Sequence, residues 1–369
     1  MTKNTSDTIW EKFQKGVFII AEIGKNFIQT EEDRPVAEYL QNAKNLVDAA
    51  KEAGADAVKF QTHVLEDEFL QGLTVVSPHF KGSDRVKWIT RNEKATPLEE
   101  FWKPLKEHCD KKGIIFFSTA MSRKAAEKLD KVGVPFWKVG SGDVQDYAIL
   151  DFMMETKKPI IISSGMVSLS ELNEVIKHIA GKGAPLVVLY CISQYPCPLE
   201  YFNLSTIEYL KEKYPDIIIG FSDHSVGDHT VDLAAIKLGA KIIEKHFSFG
   251  RGLWGADHKV SMTPEELQAM VSAIRDKEYE TVEVGPFYGV REKELEGANN
   301  MFRPYFNKSL MAGADIPEGT VITKEMIHAM RPKMYAGGLP AEKFYEVIGK
   351  QARKALKKFE PITSEVISE

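Results

Sequence analysis

The chain has 369 residues, of which 43% are hydrophobic and 27% are charged, as in ordinary globular proteins. Its net charge of -5 and pI near 6.1 argue against nucleic acid or an anionic membrane as its main partner. An anionic substrate would therefore have to be bound by a local cluster of basic side chains.

The cysteines and the N-terminal segment predict a cytoplasmic protein. Cys109, Cys191 and Cys197 show no CxxC spacing and cannot all pair with one another, which suits a reducing compartment. The first residues, MTKNTSDTIWEKF, are polar, and no apolar run approaches the length of a transmembrane segment. We therefore expect neither export nor a membrane anchor.

Buried β-strand patterns alternate with amphipathic helix patterns through most of the chain. The predicted strands cover residues 17–24, 55–62, 113–119, 135–143, 159–165, 186–193, 217–222 and 241–247. This even alternation predicts a (β/α)8 TIM barrel over residues 1–285. A doubly wound open sheet is the alternative, but it usually has a glycine-rich phosphate turn after its first strand, and AEIGKN contains no GxGxxG.

Two segments interrupt or follow this alternation. A long insertion at about residues 64–96 contains aromatic side chains and predicts a lid or an additional helical excursion. Residues 286–304 form a charged, glycine-containing linker, and residues 305–369 show turn signals between short apolar runs. The last segment predicts a small, strand-rich domain that is too small to carry the chemistry alone.

Nearly every predicted strand ends in polar or ionisable residues. These residues are Glu22, Lys59, Gln61, Ser118, Lys138, Ser141, Ser163, Tyr195, Ser222, His224, Glu244 and His246. In a barrel they share one face, which is the face that carries the active site. Each could singly be a helix cap or an ion-pair partner. Together, two lysines, several hydroxyls and helix N-termini predict an anion site suited to a phosphate.

The last two strands each end in a histidine. Adjacent parallel strands bring His224 and His246 to the same rim, with Asp223 and Glu244 beside them, so the two imidazoles can share a metal ion. Either histidine alone could simply be hydrogen-bonded. His229 lies at the start of the helix predicted after His224, and we expect it to cap that helix or to contact solvent. The two histidines beside the anion site predict that this rim binds a metal ion together with a substrate that is a phosphate ester.

Specific motifs follow one another in order along the chain. They are AEIGKN, AGADAVKFQTHVLEDE, FFSTAMSR, WKVGSGD, PIIISSGM, QYPCP, GFSDHS, LGAKIIEKHF and GADHKVSM, then RP and VIGKQA. By these motifs the chain resembles the sialic acid synthase (N-acetylneuraminate synthase) family, in which a TIM barrel precedes an antifreeze-like SAF domain. The resemblance implies condensation of phosphoenolpyruvate with N-acetylmannosamine or a related N-acylated amino sugar, giving a sialic-type nonulosonic acid and phosphate. It also implies a divalent cation, Mn²⁺ above all, with Mg²⁺ and Co²⁺ as alternatives.

The resemblance also assigns roles to individual residues. His224 and His246 correspond to metal ligands, and Glu22, Glu244 and Lys138 to catalytic positions. The positions that correspond to substrate contacts are Lys59, Gln61, Ser141, Ser163, Ser193, Tyr195, Ser222, Asp257 and Arg331. The family resemblance further implies a domain-swapped homodimer, in which the C-terminal domain of one chain brings its arginine to the barrel of its partner.

The chain departs from the family pattern near the expected acceptor site. Phe27 follows Asn26 where the family reads NHNG, and Tyr190, Ser193 and Cys197 replace the usual histidine, asparagine and threonine. The run SFGRGLWGADH follows the last strand in place of a TLDR-type run. The positions expected to bind phosphoenolpyruvate match the family pattern. The acceptor stays open between N-acetylmannosamine, its 6-phosphate and a diacetamido-trideoxyhexose.

Three other functions compete with this interpretation. A 3-deoxy-octulosonate or 3-deoxy-heptulosonate phosphate synthase has related chemistry but does not need the C-terminal domain. A Schiff-base aldolase would use Lys138 and would be insensitive to chelators. A non-catalytic sugar- or ice-binding protein gives no reason for ionisable side chains to converge on one rim.

Overall fold

The molecule contains a closed parallel barrel and a smaller antiparallel sheet. The computed structural model describes residues 5–76, 84–295 and 297–368. The barrel strands are β1 (Phe18–Gly24), β2 (Ala57–Thr62), β3 (Ile115–Ala120), β4 (Trp137–Val139), β5 (Ile160–Ser163), β6 (Leu186–Cys191), β7 (Ile218–Asp223) and β8 (Ile242–His246). The strands of the small sheet are β9 (Ser309–Ala312) and β10 (Ile327–Met330).

Helices cover the outside of the barrel and connect its strands. Those of the barrel are α1 (Thr5–Lys15), α2 (Val36–Glu52), α3 (Leu65–Glu68), α4 (Arg85–Ala95), α5 (Lys103–Lys112), α6 (Arg123–Val132), α7 (Tyr147–Glu155), α8 (Leu169–Gly181), α9 (Ser205–Lys213), α10 (Thr230–Lys237) and α11 (Pro264–Arg275). Those that follow are α12 (Gly285–Tyr288), α13 (Gly297–Phe306), α14 (Lys333–Ala336) and α15 (Phe344–Val347).

The eight barrel strands pair in chain order, and β1 pairs with β8 to close the sheet. All pairs are parallel, so the connecting helices lie outside the sheet and cover it. Every residue of β1, β6 and β8 is buried, and β1 and β6 accordingly have nearly continuous apolar sequences, whereas β8 ends in buried ionisable residues. The predicted (β/α)8 TIM barrel followed by a small C-terminal domain is confirmed.

Several hydroxyl residues on the strand-end side of the barrel cap the following helices. Ser122 accepts a hydrogen bond from the backbone nitrogen of Ala125 and begins α6. A capping box joins Ser168 and Glu171 at the start of α8. Such caps satisfy backbone N–H groups that the first helical turn leaves without partners.

Strand β4 is shorter than its sequence pattern suggests. The pattern covers residues 135–143, but the strand has three residues, Trp137–Val139, and Ser141–Asp143 forms a single 3₁₀ turn. The turn places Asp143 against Lys308 and Arg331 of the C-terminal domain. The early end of β4 thus coincides with a long-range contact that no local sequence pattern reveals.

The C-terminal segment has its own apolar core. Strands β9 and β10 pair antiparallel, and Leu310, Ile322 and Phe344 are fully buried among its short turns. Part of the predicted linker, residues 286–304, is helical, since α12 and α13 lie there, while residue 296 lies outside the described residues. The domain boundaries at 285 and 305 stay predictions.

The insertion at residues 64–96 contains α3 and α4, and residues 77–83 of it lie outside the described part.

Cys109, Cys191 and Cys197 are free and buried. Among the described residues, no helix combines the length and the apolar character needed to cross a lipid bilayer. The predicted cytoplasmic location stays a prediction.

Candidate active site

A cavity of about 870 Å³ opens at the carboxyl end of the barrel strands. All the predicted site residues line it, namely Glu22, Lys59, Gln61, Lys138, Ser141, Ser163, Ser193, Tyr195, Ser222, His224, Glu244, His246, Asp257 and Arg331. His229 is not among the lining residues. The parallel strands thus bring together residues that are far apart in sequence, and their roles stay predictions.

Two buried lysines and two buried glutamates form the closed end of this cavity. Lys59 Nζ lies 2.8 Å from Glu22 Oε2 and 3.5 Å from Glu244 Oε1. Lys138 Nζ lies 3.8 Å from the other oxygen of Glu244. Burial alone would raise the pKa of Glu244. The positive charges of Lys138 and Lys59 have the larger combined effect and hold this pKa below its ordinary value. The glutamates therefore neutralise the lysines in the absence of a ligand.

The pKa values of the two lysines move in opposite directions. Burial would lower the pKa of Lys59, but Glu22 and Glu244 outweigh this effect and raise it. Burial lowers the pKa of Lys138, and Glu244 offsets only part of the change. The difference follows from distance, because Lys59 has a carboxylate at 2.8 Å and Lys138 has none closer than 3.8 Å among the described residues.

Hydroxyl groups surround Lys138 on the ends of β4, β5 and β6. Its Nζ donates to Ser163 Oγ over 2.7 Å, and Ser141 Oγ accepts from the backbone nitrogen of Gly165 over 3.2 Å. A Cβ at Gly165 would lie 2.3 Å from Ser193 Oγ and 2.9 Å from Ser141 Oγ. Only glycine fits there, so its backbone can approach a ligand held by these hydroxyls.

The two histidines lie beside each other near this cluster, since Cys191 Sγ is 3.7 Å from Ser141 Oγ and 4.0 Å from His224 Nδ1. Their ring centroids are 5.5 Å apart. His224 Nδ1 lies 2.7 Å from the carbonyl oxygen of Ile192, and because a carbonyl only accepts, Nδ1 carries the hydrogen and Nε2 keeps its lone pair. Burial and His246 lower the pKa of His224 to about 3, so this imidazole is neutral.

The donor set fits a divalent cation. His246 Nδ1 is buried without a hydrogen-bond partner among the described residues, and neutral imidazole nitrogens are common ligands of Mn²⁺ and similar ions. No group of three or more His, Cys, Asp or Glu side chains in the described part is arranged to hold an ion. The histidine pair would therefore need ligands from water or substrate, as an open catalytic site does.

Carboxylate and amide groups converge on the turn after β1. Gln61 Nε2 donates to Glu22 Oε1 over 2.9 Å. A Cβ at Gly24 would lie 3.1 Å from Gln61 Nε2 and 3.3 Å from Asp257 Oδ2, and its φ of +54° favours glycine. Glu22, Gln61 and Asp257 therefore group around Gly24 in the lining of the cavity.

The C-terminal domain closes one side of the cavity. Arg331 is 1% exposed, forms a hydrogen-bonded ion pair with Asp143, and its backbone nitrogen donates to Glu68 O over 2.8 Å. Lys308 lies 2.9 Å from Asp143 Oδ1 and 2.8 Å from Asp146 Oδ2. These contacts are within one chain, whereas the resemblance implies that the arginine reaches the barrel of a partner.

Sequence reasoning missed several residues of this cavity. Lys25, Arg85 and Trp88 line its outer wall, and Cys191 lies 4.0 Å from His224 Nδ1. Lys25 falls inside the AEIGKN motif and Cys191 lies at the end of a predicted strand, so the sequence pattern could have identified both as site residues. Arg85 and Trp88 begin a helix of the insertion, where no pattern indicates which wall they join.

Comparisons with known proteins identify the family of this chain. The family model of the NeuB family matches residues 46–283, and that of the SAF domain matches residues 307–365. The human N-acetylneuraminate-9-phosphate synthase is 32% identical over 97% of this chain and 94% of its own length. The N,N'-diacetyllegionaminic acid synthase of Campylobacter jejuni is 30% identical over 94% of this chain and 99% of its own length.

A solved structure extends the comparison to the whole fold. The spore coat polysaccharide biosynthesis protein SpsE of Bacillus subtilis superposes with a TM-score of 0.78 at 30% identity, covering 96% of both chains. The likeness therefore includes the barrel and the C-terminal domain together.

Proposed function

This chain belongs to the NeuB family of phosphoenolpyruvate-dependent synthases and carries its SAF domain, and on that premise we propose the reaction of the site. The enzyme condenses phosphoenolpyruvate with N-acetylmannosamine or a related N-acylated amino sugar. The products are a sialic-type nonulosonic acid and inorganic phosphate.

One observation carries the proposal, namely that two buried lysines and two buried histidines line the same cavity. A donor with a phosphate and a carboxylate needs two cationic contacts close together. Lys59 and Lys138 both approach Glu244, to 3.5 and 3.8 Å, so they are close enough to hold one small dianionic or trianionic molecule.

Donor binding would exchange the partners of these lysines. Their ammonium groups now face Glu22 and Glu244, and the anionic groups of the donor would take over part of that pairing. Ser141 and Ser163, with the backbone of Gly165, provide additional hydrogen-bond donors. This binding places the enol carbon toward the open part of the cavity.

The reaction then requires one new carbon–carbon bond and one water molecule. C3 of the donor bonds to the aldehyde carbon of the acceptor, whose oxygen takes up a proton. Water adds to C2 of the former donor, and Glu22 or Glu244 accepts the proton that it loses. The C2–O bond to phosphate then breaks while the new C2 hydroxyl gives its proton to the departing phosphate, leaving a 2-keto acid and inorganic phosphate.

His224 and His246 are the residues that would hold a divalent cation. When bound, such an ion supplies positive charge for the aldehyde oxygen of the acceptor. The hydrogen bond from His224 Nδ1 to Ile192 leaves Nε2 with the lone pair that a cation needs. Gln61, Asp257 and Tyr195 form the wall against which the sugar hydroxyls would lie.

We further propose that two chains form a homodimer and exchange their C-terminal domains. The surfaces that meet at Arg331, Lys308 and Asp143 would be the same in an exchanged pair as within one chain. Support for this arrangement comes from the resemblance alone. The choice between the two arrangements depends on the connection at residues 289–306.

The test of the proposed reaction is release of phosphate from phosphoenolpyruvate in the presence of each of several amino sugars. Product mass must equal that of the acceptor plus one molecule of pyruvic acid. Phosphate release without an acceptor, or a product that lacks a new carbon–carbon bond, contradicts the proposal.

A further inference from the structure

We propose that Asp223 and Lys245 are positioning residues whose buried ion pair, behind the two histidines, sets the affinity of the site for a divalent cation. This inference rests on the proposed function, which assigns His224 and His246 to that cation. Neither Asp223 nor Lys245 lines the cavity, so both would act through the histidines next to them in sequence.

The alternation of side chains along β7 and β8 places this pair on the outer face of the barrel sheet. The residues before and after Asp223, and those before and after Lys245, all line the cavity. Successive side chains of a strand point to opposite faces, so Asp223 and Lys245 point away from the cavity. The two residues lie directly opposite each other in the parallel register of the strands.

Ser225 completes a closed network with this buried pair. Lys245 forms a hydrogen-bonded ion pair with Asp223, and its Nζ also donates to the backbone oxygen of Ser225 over 3.0 Å and to Ser225 Oγ over 2.9 Å. Asp223 Oδ1 accepts from the backbone nitrogen of Ser225 over 2.8 Å, and its Oδ2 accepts from Ser225 Oγ over 2.6 Å. A buried polar network whose members are satisfied in this way is rigid.

The network joins the turn that carries His224 to the strand that carries His246. β7 ends at Asp223, so His224 lies just beyond the strand, between two residues that share hydrogen bonds. Lys245 directly precedes His246 on β8 and reaches the carbonyl oxygen of Ser225 on the far side of His224. Two ligands of one ion must keep a fixed separation, so this link bears on metal affinity.

Other contacts fix each histidine to a different loop. The backbone oxygen of His224 accepts from the backbone nitrogen of Cys197 over 3.1 Å, and that of His246 accepts from the backbone nitrogen of Met262 over 2.8 Å. These contacts do not set one histidine relative to the other. The pairing of β7 with β8 and the network of Lys245 do, because they connect the two backbones.

The experiment measures binding of Mn²⁺ to the metal-free, full-length protein from the electron paramagnetic resonance signal of free Mn²⁺. Lys245→Met removes the ammonium and should raise Kd for Mn²⁺ by about 10- to 100-fold, the usual cost of losing a group that orients metal ligands. Ser225→Ala removes only the hydroxyl that contacts both charges and should raise Kd by about 2- to 10-fold. This milder variant decides the question if Lys245→Met does not fold.

Lys308→Met is the matched control. Lys308 is also a buried ammonium paired with carboxylates, but it contacts the loops that follow β3 and β4. Its loss should lower stability and leave Kd for Mn²⁺ unchanged. Calorimetry with phosphoenolpyruvate and metal-free protein provides a second readout. Lys245→Met should keep the affinity for this donor, because Lys59 and Lys138 belong to β2 and β4.

An unchanged Kd for Mn²⁺ in folded Lys245→Met, or in Ser225→Ala where Lys245→Met does not fold, overturns the inference. An equal rise in Lys308→Met also overturns it, because the effect would then follow from general loss of stability. If the wild type binds no Mn²⁺, or His246→Ala binds it equally well, the metal assignment is wrong and the inference fails with it. If the wild type binds Mn²⁺ but no phosphoenolpyruvate, the proposed donor is wrong, and the Kd values for Mn²⁺ still decide the inference.

Discussion

Lys308 of the C-terminal domain donates a hydrogen bond to Asp146 Oδ2, 2.8 Å away, at the end of the barrel that carries the cavity. Both residues are buried, at 3% and 2% exposure. Lys308 also donates to the backbone oxygen of Met121 over 2.6 Å and faces Asp143 at 2.9 Å. A single ammonium group thus fixes the C-terminal domain against the loops that follow β3 and β4.

Replacing Lys308 by methionine should lower the free energy of unfolding by about 3–5 kcal/mol, since two buried carboxylates lose a partner. Urea unfolding measures the effect. The control is Lys324→Met, because Lys324 also joins the C-terminal domain to barrel carboxylates, Asp151 at 3.1 Å and Glu155, but at a more exposed site. Its loss should be about 0–1 kcal/mol. Similar losses in both variants would show that burial does not decide the strength of the contact.

Removing the divalent cation should abolish turnover. Treatment with EDTA followed by Mn²⁺ should remove and restore activity, and His246→Ala should abolish activity and reduce the bound metal measured by elemental analysis. His229→Ala is the control, because His229 begins α10 and does not line the cavity. Full turnover of EDTA-treated protein, or loss of metal in His229→Ala, would refute the ligand assignment.

Lys138→Ala should chiefly weaken binding of phosphoenolpyruvate. One charge-assisted phosphate contact is worth about 1.5–3 kcal/mol, so KM for the donor should rise by roughly 10- to 150-fold. Steady-state kinetics with each substrate varied in turn separate the effects. Lys177→Ala, at a residue whose side chain is 72% exposed, is the control. An unchanged KM for phosphoenolpyruvate with an altered KM for the sugar would argue that Lys138 belongs to the acceptor site.

Exchange of C-terminal domains can be tested by mixing two inactive chains. His246→Ala damages the barrel and Arg331→Ala damages the C-terminal domain. In an exchanged heterodimer, one site combines an intact barrel with an intact C-terminal domain, so co-expression should restore activity toward half of the wild-type value per dimer. Sedimentation must show that heterodimers form. An inactive mixture of demonstrated heterodimers would place each C-terminal domain on its own barrel, as in the contacts seen here.

The sequence alone predicted the barrel and the residues at its rim. Alternating strand and helix patterns determine a (β/α)8 barrel, and parallel strands bring their carboxyl ends to one face. Residues such as Lys59, Lys138 and His246 could therefore be assigned to one site without coordinates. The motifs that mark the family resemblance contain these strand ends, so the same stretches of sequence also indicate the family.

Only the tertiary structure decided which charges meet. Arg331 pairs with Asp143 across 188 positions of sequence, and that contact accompanies a strand shorter than its local pattern predicts. Likewise, Lys25 belongs to a loop after β1 and Arg85 to the insertion, so no periodic pattern relates them. Helix and strand periods report local geometry, whereas the separation of two loop or domain charges depends on how the whole chain packs.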